Sequence, residues 1–156
     1  MLAIAFYDVV LSVHVMAVVI AFGVTFAYPA FVPWVRKAHP AAMPAVHEVR
    51  DRVGRLVMSP GMAVVLVAGI YLASKADAWS KAWVTVPLVI LIVIGALGGM
   101  FFTPNERRLA ELSRRDLASG GALSPEYDAL LARVQAVGYA TCALVLIAIF
   151  FMAAKP

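Results

Sequence analysis

The chain has 156 residues, of which 63% are hydrophobic and only 14% charged. A soluble domain is nearer half apolar and a quarter charged, so its solvent is read as lipid. The formal charge of +4 does not argue for nucleic acid, because the cations lie in short connections between apolar blocks. The single cysteine, Cys142, excludes a disulfide framework, a zinc knuckle and a covalent c-type haem attachment within one chain.

The apolar blocks cover residues 9–31, 57–73, 84–102 and 134–153. Each approaches or exceeds the roughly 20 residues that a helix needs to cross a bilayer core of about 30 Å. The predicted architecture is an all-α, up-down four-helix bundle forming one integral membrane domain. With interfacial extensions the spans run over about 4–34, 45–74, 83–103 and 125–154. The first block lacks a basic leader and is too long for a signal peptide, so it is read as a retained helix.

Helix 1 runs from about Ile4 to Trp34 and is broken by Pro33 and Pro40. His14, Ala17, Ala21, Thr25 and Tyr28 fall on one face, and such small and polar groups mark the side turned to other helices. The 36–56 stretch places Val46, Val49, Val53 and Leu56 on one side and His47, Glu48, Arg50 and Asp51 on the other. It reads as a helix lying at the membrane interface and running into helix 2. Pro60, in Ser59-Pro60-Gly61, predicts a kink at the start of helix 2.

Helix 3 starts near Trp83, and Gly95, Gly98 and Gly99 thin its later half for close backbone approach. Thr103-Pro104-Asn105-Glu106 has the form of a capping box, which predicts a separate short amphipathic cytoplasmic helix between helices 3 and 4. Ser119-Gly120-Gly121 ends it, and Ser124-Pro125-Glu126 caps helix 4. Helix 4 enters lipid near Val134, with Gln135, Gly138 and Cys142 as its expected inward stripe. No internal repeat beyond the up-down alternation is evident.

The connections 1–2 and 3–4 hold ten Lys/Arg, against three on the opposite side: Lys75, Lys81 and Lys155. The positive-inside rule then places the ten in the cytoplasm and both termini outside. Trp34, Phe101 and Phe102 form an inner aromatic belt; Tyr7, Tyr71, Trp79 and Trp83 form an outer one.

His14 is the first candidate site residue. It lies six residues past Asp8, about 9 Å into the span, and an ionisable group at that depth is a functional hypothesis by default. A neutral imidazole there could ligate haem iron, or it could hydrogen-bond a neighbouring helix; the pattern leaves both open. His39 and His47 fall at the other membrane face, which argues against bis-histidine ligation with His14. Met152 is depth-matched to His14, although a methionine in an apolar helix is more often packing. Asp8, Tyr7 and Tyr71 share the outer interface, where proton or quinone access and an ordinary wet boundary both fit. Arg52 and Arg55 could meet haem propionates or, more simply, anionic lipid headgroups. No hydrolytic or nucleotide-binding motif is present.

"SVHVMAVVIAFGVTFAYPAFV" in helix 1, with His14, Gly23, Pro29 and Phe31, and "RLVMSPGM" followed by Gly69 in helix 2, resemble the HemJ-type bacterial membrane protoporphyrinogen oxidase. Across nearly its whole length the chain resembles the bacterial integral membrane proteins grouped as domain of unknown function 2269. The oxidase resemblance implies haem b held by His14. The lysine that this oxidase carries near the start of helix 3 has no counterpart, since Val86 and Pro87 stand there and only Lys81 is near. The expected function is therefore a haem b protein of the bacterial inner membrane, in electron transfer or porphyrin- or quinone-linked oxidation. The alternative is a non-enzymatic accessory subunit that joins a homo- or hetero-oligomer through small-residue helix faces. A transporter is less supported, because only one ionisable group lies clearly inside a span.

Overall fold

The computed structural model describes residues 5–155, so the expected start of helix 1 at Ile4 lies outside the described residues. Four long helices carry the fold: α1 (Phe6–Ala38), α2 (Pro40–Lys75), α3 (Ala82–Ala118) and α4 (Pro125–Ala154). All four are long and apolar enough to cross a membrane. Their outward faces are apolar, with Val19, Val67, Val89, Ile92 and Phe150 among the exposed side chains. Lipid accepts such faces without cost, whereas a helix backbone must satisfy its own polar groups there.

The first part of α1 packs along the second half of α2, and the first part of α3 packs along α4. The two pairs meet through Ala21, Phe22, Ile90, Ile94 and Val145. At the end that carries the basic connections, Met43–Val53 of α2 packs on Thr103–Ala118 of α3. There Val32, Met43, Leu109, Leu112, Tyr127 and Val134 make a second core.

The helix 1 stripe is found as expected: His14, Ala17, Ala21 and Thr25 are buried and Tyr28 is half-buried. Pro33 does not break the helix; it stands inside it, and the break comes at His39 before Pro40. A tight turn, Gly23–Phe26, precedes Pro29. Proline has no N–H to give the carbonyl four residues back, which here is Thr25. The Cys142 thiol of α4 donates to that carbonyl at 3.6 Å.

The amphipathic helix expected between spans 3 and 4 is found at Thr103–Ala118, but it runs on from span 3 through a wide turn as one long helix rather than starting afresh. No capping box forms at Thr103, because the chain is already helical there. Glu106 turns its side chain to α2, and Thr103 Oγ1 donates to the Gly98 carbonyl at 3.0 Å. Gly120, at φ +81°, ends the helix, a conformation that glycine adopts without strain. Ser124 does cap α4, its hydroxyl accepting the Tyr127 N–H at 3.3 Å. On α4 the buried line is Leu131, Val134, Thr141 and Val145, while the expected Gln135, Gly138 and Cys142 are half-buried.

The glycines divide differently from expectation. Gly61, read in the sequence only as part of the Ser59-Pro60-Gly61 kink, is where α1 and α2 touch: a Cβ built there would lie 2.9 Å from Ala21 Cβ. Gly95 is also close, 3.2 Å from Met62. A Cβ on Gly98, Gly99 or Gly138 meets nothing within 4 Å, so these do not serve close packing. Gly61→Val is expected to destabilise the bundle by about 2 kcal/mol through overpacking. Gly98→Ala should be neutral or slightly stabilising in the same thermal melt in detergent, since a helical glycine loses roughly 0.5–1 kcal/mol relative to alanine.

Candidate functional site

From Met43 the 36–56 stretch is helical and continues into the apolar part of α2 as expected, but its faces do not divide as expected: Val46 and Val53 are half-buried and Glu48 is exposed. Val49 and Leu56 are exposed, while His47 is fully buried. Arg50 is nearly so, with its side chain 9% exposed. His47 and Arg50 are turned from solvent because α3 continues beside this segment and offers Glu106. His47 Nδ1 lies 2.7 Å from Glu106 Oε2. A carboxylate only accepts, so Nδ1–H donates to it and Nε2 is left to accept the Tyr127 hydroxyl at 2.8 Å. Arg50 Nη1 lies 3.0 Å from Glu106 Oε1, paired by charge but off line for a hydrogen bond. The guanidinium stacks over the Tyr28 ring, 4.6 Å from its centre. One carboxylate thus joins α2 to α3, and through His47 and Arg50 it reaches α4 and α1. Outside this core, partly exposed pairs such as Arg36–Asp128 and Arg108–Glu126 surround it, each worth little alone.

Beside the network lies a cavity of about 250 Å³ walled by all four helices. Two wide helical turns frame it, Gly54–Met58 in α2 and Gly98–Phe102 in α3. Such turns, with bonds spanning five residues, recur at functional sites. They share one cause. Pro60 and Pro104 each leave unbonded the carbonyl four residues back, and the hydroxyl just before each proline bonds the glycine carbonyl five residues back. The underlying pattern, Gly-x-x-x-x-Ser/Thr-Pro, stands at 54–60 and again at 98–104. This is an internal repeat that the up-down reading overlooked, and it is the sequence signal for the cavity. The kink expected at Pro60 takes the form of the first of these turns.

A second cavity, about 300 Å³, opens at the far end of the bundle. It is lined mainly by apolar side chains together with His14, Met152, Trp79, Trp83, Tyr7 and Lys155. His14 is 6% exposed. Its Nδ1 makes no hydrogen bond of ordinary geometry, with the Val65 carbonyl the backbone acceptor beside the ring. The ring also packs against α2: a Cβ on Gly69 would come within 3.2 Å of His14 Cε1. His14 and Met152 therefore share a cavity, but Arg52 and Arg55 do not join them. Arg55 lines the other cavity, bound to Asp51 at 2.7 Å, and Arg52 is exposed at the basic end. The cation at the His14 cavity is Lys155, which lies 5.0 Å from the centre of the Trp83 ring. Among the described residues no three His, Cys, Asp or Glu side chains converge as a metal cage.

Four apolar helices with a buried polar core at one end define an integral membrane protein of the helical-bundle class. Residues 8–156 match the family described as predicted integral membrane protein (DUF2269), and the chain belongs to that family. No curated protein and no solved structure matches it.

The buried network makes a direct stability prediction. His47→Ala strands Glu106 and Tyr127 and should cost about 3 kcal/mol, as removal of one partner from a buried pair does. Tyr127→Phe removes one hydrogen bond and should cost about 1 kcal/mol. In the His47→Ala background Tyr127→Phe should cost less, a coupling read from a double-mutant cycle of denaturant unfolding in micelles.

Proposed function

We propose that this protein holds a haem b in the far-end cavity with His14 as an axial ligand, and serves electron transfer or porphyrin- or quinone-linked oxidation in a bacterial inner membrane. One observation carries the reading: a nine-tenths buried imidazole in the wall of a 300 Å³, mostly apolar cavity, without a side-chain hydrogen-bond partner. The Val65 carbonyl is the backbone acceptor that would orient a ligating histidine. Bound haem would supply one-electron chemistry, with a potential set by axial ligation and burial. The chain's own part is to fix the imidazole against Gly69, exclude water with apolar walls and offer Met152 from the opposing helix. Lys155 is the cation available for an acidic edge, a role that the sequence reading gave to Arg52 and Arg55.

A second reading is favoured by the Gly69 contact. There His14 is a packing and hydrogen-bonding residue, and the protein is an accessory subunit of a larger complex. The small residues of α1 are then used within the bundle, and partners would meet the exposed apolar faces.

A visible spectrum separates the two. Haem-supplemented protein should show a Soret band with reducible alpha and beta bands, and His14→Ala should lose them while keeping its helical signal. Colourless wild-type protein would give the accessory reading the lead. An unaltered spectrum in His14→Ala would remove His14 as ligand.

The ten-to-three charge asymmetry supports an orientation with the basic end cytoplasmic and both termini outside. On a Cys142→Ser background, Ser80→Cys should react with an impermeant thiol reagent from outside and Glu111→Cys only after the membrane is opened. Both positions are exposed. The opposite pattern reverses the orientation.

A further inference from the structure

We infer that the basic-end cavity is a binding site for a lipid-phase ligand with a flat, uncharged head bearing carbonyl or hydroxyl groups, of the quinone class. The first ground is unmet hydrogen-bonding capacity. Buried polar atoms without partners are few in folded proteins. Here Thr25 Oγ1, Tyr28 OH, Arg50 Nε, Asp51 Oδ1 and Gln135 Nε2 are all in that state, and all belong to side chains in the wall of this one cavity. Thr25 is 7% exposed, and the side chains of Arg50 and Asp51 are 9% and 10% exposed.

The second ground is charge. Two arginines, Arg50 and Arg55, and two carboxylates, Asp51 and Glu106, line the space. Within the wall they balance, and each arginine already faces a carboxylate, Arg50 at 3.0 Å and Arg55 at 2.7 Å, while the exposed Arg107 reaches the same Asp51 at 3.5 Å from outside it. A phosphate or other anion would enter without a free countercharge, and burying such a charge is costly. A neutral head suits the set better. Arg50, Gln135, Thr25 and Tyr28 can donate to its carbonyl oxygens, and Asp51 can accept from a hydroxyl.

The third ground is shape. Gly98 and Gly99 on α3 and Gly138 on α4 border the cavity, yet a Cβ on any of them would touch nothing within 4 Å. These glycines hold space open rather than bring backbones together. Apart from Ser59, Thr103 and Thr141 the remaining wall is apolar, with Met58, Met62 and Ile94 leading toward the middle of the bundle, where a hydrocarbon tail is at home. The site is separate from His14 and does not depend on haem.

Purified protein in dodecyl maltoside, titrated calorimetrically with decylubiquinone, tests the inference. Wild-type protein should bind saturably and melt at a higher temperature with the quinone present. Gly98→Leu fills the open space with no neighbour to displace, so it should fold and lose the heat of binding. Gly138→Leu repeats the test from α4 should Gly98→Leu not fold. Gln135→Leu should weaken binding at least about tenfold by removing a donor. His14→Ala should bind as wild type does, which keeps this result distinct from the haem test. An absence of binding by wild-type protein, undiminished binding by the filled variants, or equal binding of dihexanoyl phosphatidylglycerol would each overturn the inference.

Discussion

The carboxylate of Glu106 is the group on which the basic end of the bundle depends. It is 3% exposed, and an uncompensated charge at such a place is not tolerated. His47 and Arg50 compensate it from α2, and each partner is itself held, His47 by Tyr127 and Arg50 by the Tyr28 ring. Apolar attraction alone specifies little between helices in lipid, because the alternative neighbour is equally apolar. A buried ionic cluster with one satisfying geometry sets the rotation of α2 and α3 about their axes, and with it which residues border the space alongside.

That space follows from backbone chemistry as much as from side chains. Proline inside a helix frees a carbonyl, and at 54–60 and 98–104 the chain answers with the same device, a hydroxyl bonded five residues back across a widened turn. The two turns run in opposite chain directions because α2 and α3 are antiparallel, yet they arrive at the same depth and frame one cavity. At Pro29 the answer comes from another helix, through the Cys142 thiol. The thiol meets the freed carbonyl itself, whereas at Pro60 and Pro104 the hydroxyl reinforces the wide turn that precedes the proline.

The number of helices, the bounds of the first, second and fourth to within about five residues and the inward face of α1 were legible in the sequence. Hydropathy and the spacing of His14, Ala17, Ala21 and Thr25 depend only on local periodicity. The role of His47 was not legible, because an amphipathic helix reads the same whether its polar side meets water or another polar helix. Only the continuation of α3 beyond the membrane decides between them, and the apparent capping box at Thr103 concealed that continuation. Glycines mislead for a related reason: the same residue allows contact at Gly61 and preserves a void at Gly98. The shared Gly-x-x-x-x-Ser/Thr-Pro pattern was visible throughout, but its meaning lies in the hydrogen bonds it forces. The burial of His14 was legible from its place on the α1 stripe and its surroundings only partly so, since Met152 lines the same cavity and Arg55 lines the other.

The links that close the basic end also change what that end presents. His47 meets Glu106 across 59 residues of chain and Tyr127 across 80, so both contacts exist only where α2, α3 and α4 have come together. The imidazole–carboxylate latch is shut only when these three helices are in place. Before that moment His47, Arg50 and Glu106 must stay hydrated at the membrane surface. A half-assembled bundle is consequently marked by open charge at one end, and the finished one by its disappearance.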